Sequence, residues 1–170
     1  MTLTAQMIKP DIGLSEEQRK GVSSVLTQVL ASEFTLYTKL RNFHWNVEGP
    51  QFLSLHEMFE EQYKQLEATI DEIAERIRTY GDNAIGTMSE FADHTRLTET
   101  PGSYPEARDM VMTLAEDHEQ MVRNLREDIE TVGGKYGDVG AEDMLTALLQ
   151  DHQEMSWMLR TFIEGKPVHG

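Results

Sequence analysis

The chain has 170 residues and a formal net charge of −15, from 30 acidic and 15 basic residues. So acidic a chain repels nucleic acid and anionic membranes and draws cations, and with no cysteine it has no disulfide, thiolate metal site or cysteine nucleophile. No apolar run approaches the ~18 residues of a membrane span, and the N-terminus, MTLTAQMIKPDIGLSEEQRK, lacks a secretory pattern, so a soluble cytoplasmic protein of one domain is expected.

Residues 1–14 read as an arm, punctuated by Pro10 and Gly13, with Lys9 its only basic side chain. Ser15-Glu16-Glu17-Gln18 is a capping-box pattern that predicts a helix start. The first long helix carries the stripe Val22, Leu26, Val29, Leu30, Phe34, Tyr37, Leu40 and Phe43. Glu48-Gly49-Pro50 breaks it and opens a second helix. That helix has the stripe Phe52, Leu55, Phe59, Leu66, Ile70, Ile73, Ile77 and Tyr80, and Gly81 is its stop. Residues 82–104 are a long connector with a short helix expected at 89–93, anchored by Phe91. Its length suits a crossover between two helices pointing the same way.

Ser103-Tyr104-Pro105-Glu106 opens a third helix with Val111, Leu114, His118, Met121, Val122, Leu125, Ile129 and Val132 inward, ended by Gly133-Gly134. A fourth starts over 138–142, turns Leu145, Leu148, Leu149, Met155, Leu159, Phe162 and Ile163 inward, and closes at Gly165 and Pro167. The expected architecture is all-α, a four-helix bundle over 15–165 with a short extra helix in the connector and a tail at 166–170.

The second helix carries two pairs at i, i+4 spacing, His56 with Glu60 and Asp71 with Glu75. Residues four apart share a helix face, so each pair can grip one ion. His56 and Asp71 are fifteen positions apart, which is ~22 Å at ~1.5 Å per residue. Metal–ligand bonds are about 2.0–2.2 Å, so the two pairs of one chain cannot share an ion. Fifteen steps of ~100° leave both pairs on one flank. Half-sites at opposite ends of one flank suggest an antiparallel two-fold dimer, in which His56 and Glu60 meet the other chain's acidic pair twice over. His44, at the end of the first helix, lies next to this set.

His44-Trp45-Asn46-Val47, Gly49, Phe52, Leu55-His56, Phe59, Tyr63, Asp71 and Ala74-Glu75-Arg76, with Trp157-Met158-Leu159-Arg160 near the C-terminus, resemble the signature of Dps proteins, the ferritin-like mini-ferritins of starved bacteria. The resemblance covers nearly the whole chain. It implies a ferritin-like bundle, a hollow dodecamer, and oxidation of Fe(II), usually by hydrogen peroxide, with storage of ferric mineral. It places ferroxidase centres at two-fold interfaces. The metal ligands it implies are His44, His56 and Glu60 of one chain with Asp71 and Glu75 of its partner. The family usually has Asp where Glu60 stands, so this ligand is one methylene longer. The resemblance also offers Trp45 as a radical trap, and Asp138 and Asp143 as lining of the three-fold pores that admit Fe(II).

Imidazole and carboxylate suit Fe(II), Zn(II) or Mn(II), so Zn(II) is an expected competitor without redox chemistry. No histidine has Glu or Asp three residues before it, since those positions hold Arg41, Leu53, Phe91, Ala115, Leu149 and Lys166. That disfavours an intrachain di-iron centre built on Glu-x-x-His.

Plainer readings stand beside these. The two pairs can be ordinary surface pairs, with Arg76 or Arg78 neutralising the acidic one. Asp138 and Asp143 can simply favour a helix N-terminus. His118 and His152 read as satisfied interior histidines, and Met110, Met112, Met121, Met155 and Met158 as core fillers. His94 and His169 carry no assignment. Phosphate neutralisation needs several basic contacts; the arm has Lys9 and the tail adds Lys166, so DNA binding is not expected. A nucleoid DNA-protecting protein and a non-catalytic metal-binding bundle are the alternatives.

Overall fold

The computed structural model describes residues 9–164, which form five α-helices and one π-helical turn, with no strand among them. Residues 1–8 of the expected arm and the 166–170 tail, with Gly165, Lys166, Pro167 and His169, lie outside the described residues.

Helix α1 (Glu16–Asn46) starts on the predicted capping box: Gln18 N–H donates to Ser15 Oγ at 3.2 Å, and Ser15 N–H to Gln18 Oε1 at 2.8 Å. After the turn at Gly49, α2 (Phe52–Thr79) returns along α1 and ends at Tyr80. Gly81 then adopts φ +90, a left-handed conformation that a side chain rarely takes. The connector carries α3 (Met88–His94), capped by Thr87 and Glu90. Its Phe91 is 8% exposed and stacks on Phe34 with ring centroids 4.2 Å apart. Two polar ties hold the crossover down. Lys39 Nζ donates to Thr98 O at 2.8 Å and pairs with Asp117 at 2.5 Å. Arg96 grips Asp128 through two bonds of 3.0 and 2.6 Å. Burial raises the Asp117 and Asp128 carboxyls, and the neighbouring cation of each offsets part of that rise.

Helix α4 (Ala107–Ile129) does not stop at Gly133-Gly134 as expected. It loosens first, at Glu130, into a π-helical turn (Glu130–Lys135) that contains both glycines. Tyr136, just after this turn, lies against α1 at Gly21, where a Cβ would fall 2.1 Å from the tyrosine ring. Helix α5 (Val139–Glu164) completes the bundle. The four long helices pack as α1 on α2 and α4 on α5.

The apolar core has two clusters. One holds Leu36, Leu40, Leu55, Phe59, Leu66 and Met121; the other holds Leu26, Leu30, Ile73, Ile77, Leu125 and Leu145. The α1 stripe departs from the expected one. Phe34 and Tyr37 are only half-buried, while Glu33 and Leu36 are fully buried. The helix is rotated so that its aromatic residues line a groove against α2, and a carboxylate occupies the core side. Met110, Met121 and Met155 fill the core, but Met112 and Met158 are 38% and 36% exposed and do not. Phe52, placed on the inward stripe of α2, is 43% exposed, and its ring lies 5.0 Å from that of His56 instead of in the core.

Candidate metal centre

Where α1 ends and α2 begins, two imidazoles face each other. His44 and His56 stack with ring centroids 3.7 Å apart and planes 19° from parallel. Each donates across the turn to the other's backbone. His44 Nδ1–H meets His56 O at 2.8 Å, and His56 Nδ1–H meets His44 O at 2.8 Å. A carbonyl can only accept, so each ring carries a proton on Nδ1, and the lone pair a ring offers to a metal is the one on Nε2. Among the described residues neither Nε2 has a hydrogen-bond partner. Folding supplies this arrangement cheaply: α1 is ending, so the His44 carbonyl has no later helical N–H to serve.

Glu60 lies one turn beyond His56, within electrostatic reach of both histidines. It is paired with Lys64 Nζ at 2.5 Å, and that hydrogen bond, ahead of the smaller pull of His44 and His56, lowers its carboxyl from the ordinary value. A metal ion at Glu60 has to displace this exposed lysine.

Asp71 and Glu75 are exposed near the far end of α2. Neither forms an ion pair among the described residues. The two arginines suggested as their neutralisers are engaged elsewhere. Arg76 donates to Tyr80 Oη at 2.9 Å and lies 3.5 Å from Asp138, and Arg78 binds Asp82 O and Asn83. Asp71 opens onto a groove of about 630 Å³ along α1 and α2, lined also by Phe34, Tyr37, Lys64 and Ile70. No three His, Asp or Glu side chains of one chain converge to hold a metal ion among the described residues.

An aromatic cluster backs the histidines. Tyr63 meets His44 edge-on at 5.3 Å. The Arg41 guanidinium lies 4.7 Å from the Tyr63 ring centroid and 5.3 Å from that of Trp45, which is itself 64% exposed.

Asp138 has a structural employment. Its Oδ1 accepts from the N–H groups of Gly140 and Ala141 at 3.0 and 3.1 Å, capping the first turn of α5, and its Oδ2 accepts from Tyr80 Oη. Burial and that acceptor together raise the Tyr80 hydroxyl well above its usual range. The helix-terminus reading accounts for Asp138, while Asp143 is exposed one turn further on.

Sequence reasoning missed one polar group. Glu33, His118 and His152, each 0% exposed, are linked inside the bundle. The expectation of satisfied interior histidines holds for His152 and fails for His118, whose Nε2 has no partner among the described residues. An inward histidine at helical spacing was visible, but nothing in the sequence marked Glu33 as inward. Burial and the neighbouring His152 hold the His118 imidazole well below its usual value.

An all-helical bundle with an imidazole–carboxylate set on its second helix defines a ferritin-like protein. The ferritin-like domain model matches residues 24–166. The chain is 39% identical to DNA protection during starvation protein 2 of Bacillus anthracis, over 85% of this chain and 97% of the relative. It is 47% identical to an uncharacterized low temperature-induced protein of Nostoc sp., over 95% and 90%. The crystal structure of Dps from Staphylococcus aureus superposes with a TM-score of 0.81 at 35% identity, covering 86% of this chain and 97% of that one. Dps of Vibrio cholerae, described as a ferritin-like diiron-carboxylate protein, superposes with a TM-score of 0.84 at 26% identity, covering 92% and 98%. The chain therefore belongs to the ferritin-like proteins and, within them, to the Dps family.

Proposed function

We propose that this chain is the subunit of a hollow iron-storage and detoxifying oligomer, a dodecamer, in which Fe(II) is oxidised with hydrogen peroxide and kept as ferric mineral. Iron is the substrate and cargo; the chain supplies the ligands. The observation that carries the reading is the reciprocal pairing of His44 and His56, which fixes both tautomers and leaves two Nε2 lone pairs free at one place. Backbone carbonyls acting behind ligating histidines are a recurrent device of metal sites.

Completion needs a second chain. His44, His56 and Glu60 form one half-site, and Asp71 and Glu75 of a two-fold partner form the other. The free state of both acidic side chains, and the groove beside Asp71, support this arrangement. The carboxylates offset ferric charge, and positions without a protein ligand admit the oxidant. Zn(II) fits the same donors and competes without turning over. Trp45, next to His44 in the chain and joined through Arg41 to the Tyr63 ring that meets His44, is the candidate radical trap. Asp143 is the pore candidate carried forward.

Direct DNA binding is not part of this reading. Lys9, the basic residue of the arm, is paired with Glu16 at 2.9 Å, on a chain of net charge −15. Stoichiometric retention of plasmid in a low-salt gel would overturn that exclusion. No described helix is long and apolar enough to cross a membrane; a cytoplasmic location is proposed with the function. The test is to give anaerobic protein Fe(II) and then peroxide. Ferric absorbance should grow and a retained mineral core form, with the fast phase strongly slowed in a His44→Ala/Asp71→Ala variant that keeps its fold. A double variant that oxidises iron at the parent rate would sink the assignment. Metal uptake without oxidation would indicate a structural site instead.

A further inference from the structure

Inside the bundle, three helices contribute one polar side chain each to a single hydrogen-bonded line. Glu33 Oε1 of α1 lies 2.7 Å from His152 Nε2 of α5, and His152 Nδ1 lies 2.8 Å from His118 Nδ1 of α4. All three residues are 0% exposed. Along α1 and α5 the line falls at the seam between the two apolar clusters, after Leu30 and Leu149 and before Leu36 and Met155. Its two end atoms, Glu33 Oε2 and His118 Nε2, are buried without partners.

Hydrogen-bond chemistry restricts how protons can be placed here. Two imidazole nitrogens at this separation share one proton: two bare nitrogens repel, and so do two N–H groups. A second proton lies on the bond between His152 Nε2 and Glu33 Oε1. With these two alone, His118 Nδ1–H donates to His152 Nδ1, His118 Nε2 is a bare acceptor, and the group carries one negative charge. A third proton has two open places, the unpartnered end atoms. At Glu33 Oε2 it leaves both rings as they are; at His118 Nε2 it draws the proton between the rings from His118 Nδ1 to His152 Nδ1, which returns His118 to a neutral ring. The bond to Glu33 keeps its proton, nearer either atom. The count rises from two to three, and the buried charge falls to zero.

No other buried charge near the seam is available to neutralise Glu33. On α1, Lys39 is paired with Asp117 of α4; on α4, Asp128 is held by Arg96; on α5, Ser156 is the other buried polar residue; and α2 contributes the uncharged Gln62. At the adjoining surface Glu119 is paired with Arg160 at 2.5 Å. A buried carboxylate without a cation is costly, so its neutraliser has to be a proton.

We propose that Glu33, His152 and His118 form a proton-binding relay across the bundle, separate from the metal ligands, that takes up one proton at His118 Nε2 and neutralises the core by a coupled shift of both imidazoles. The mark of this relay is that two histidines change state together. A pair of merely structural histidines keeps its tautomers, or titrates ring by ring.

The decisive measurement is solid-state NMR of the assembled full-length protein labelled with ¹⁵N-histidine, taken from about pH 8 to about pH 5. His118 should pass from Nδ1–H to Nε2–H while His152 gains Nδ1–H, with one common midpoint. Separate midpoints, or a His118 tautomer unchanged across the range, overturn the relay. A second measurement uses Glu33→Gln. Between about pH 4.3 and 6.5 the unfolded parent holds four protons on these groups, two on each histidine and none on Glu33. Within that range and below the midpoint read by NMR, the folded relay holds three, whereas folded E33Q holds two. The unfolding constant of E33Q should therefore climb about tenfold more steeply per pH unit of acidification than the parent's. Parallel pH dependences would also overturn the proposal. If E33Q does not fold, the NMR experiment on the parent still decides.

Discussion

Complementation between two defective chains tests the shared centre most directly. Let one variant carry His44→Ala and His56→Ala, and the other Asp71→Ala and Glu75→Ala. Each homogeneous assembly lacks one half of every centre and should lose the fast phase of Fe(II) oxidation. Fifteen residues separate His56 from Asp71 along α2, a rise of ~22 Å, so no centre can be rebuilt within one chain. In a two-fold pair with one chain of each kind, one centre draws its histidines and its carboxylates from the intact halves, and the other receives neither. Random one-to-one co-assembly makes about half of the pairs mixed, with one of two centres restored in each, so about one centre in four recovers. Stopped-flow oxidation with peroxide reads that amplitude, and native mass spectrometry confirms mixing. Mixed assemblies with no recovered fast phase would refute the two-fold reasoning, as would either variant being active alone.

Other outcomes follow from the same contacts. Lys64→Ala frees Glu60 of its ion pair and should tighten Zn(II) or Fe(II) binding by about twofold, the scale of an exposed i, i+4 pair, in a competition titration. Asp138→Ala removes the cap of α5 and the acceptor of the buried Tyr80 hydroxyl, and should cost about 2–3 kcal/mol in urea unfolding, with iron oxidation kept. Phe59→Ala, at a residue 0% exposed, should cost about 3–5 kcal/mol. Because burial depresses the His118 imidazole, the unfolded chain binds more protons below its usual value. That contribution is complete above about pH 6.5 and is lost as pH falls toward the depressed value, so the urea midpoint should drop from pH ~7.5 to ~5.5.

The legible parts of the chain were those written in local chemistry. The capping box at Ser15, the stop at Gly81, the inward run of Leu55, Phe59, Leu66, Ile73 and Ile77, and a helix in the connector all rest on spacing or turn residues within a few positions. The two i, i+4 pairs on α2 that the proposal uses as half-sites were legible too, because residues four apart share a helix face in any helix. The stacking of His44 on His56 was not. It depends on how α2 re-enters against α1 after Gly49, which sets two residues twelve positions apart ring to ring.

Other features needed the packed bundle. The sequence alone determined the number of helices, their approximate ends, the excess of negative charge and the ~22 Å that forbids one chain from closing a centre, since each follows from periodicity, composition or helix rise. Only the tertiary structure decided the rotation of α1, the employment of Arg76 and Asp138, and the burial of Glu33. A helical stripe has a broad azimuth, and Phe34 or Glu33 could each have faced inward. Which one did was settled by what α5 and α4 brought opposite: the His152 imidazole, which hydrogen-bonds the carboxylate, and behind it His118, bonded to His152.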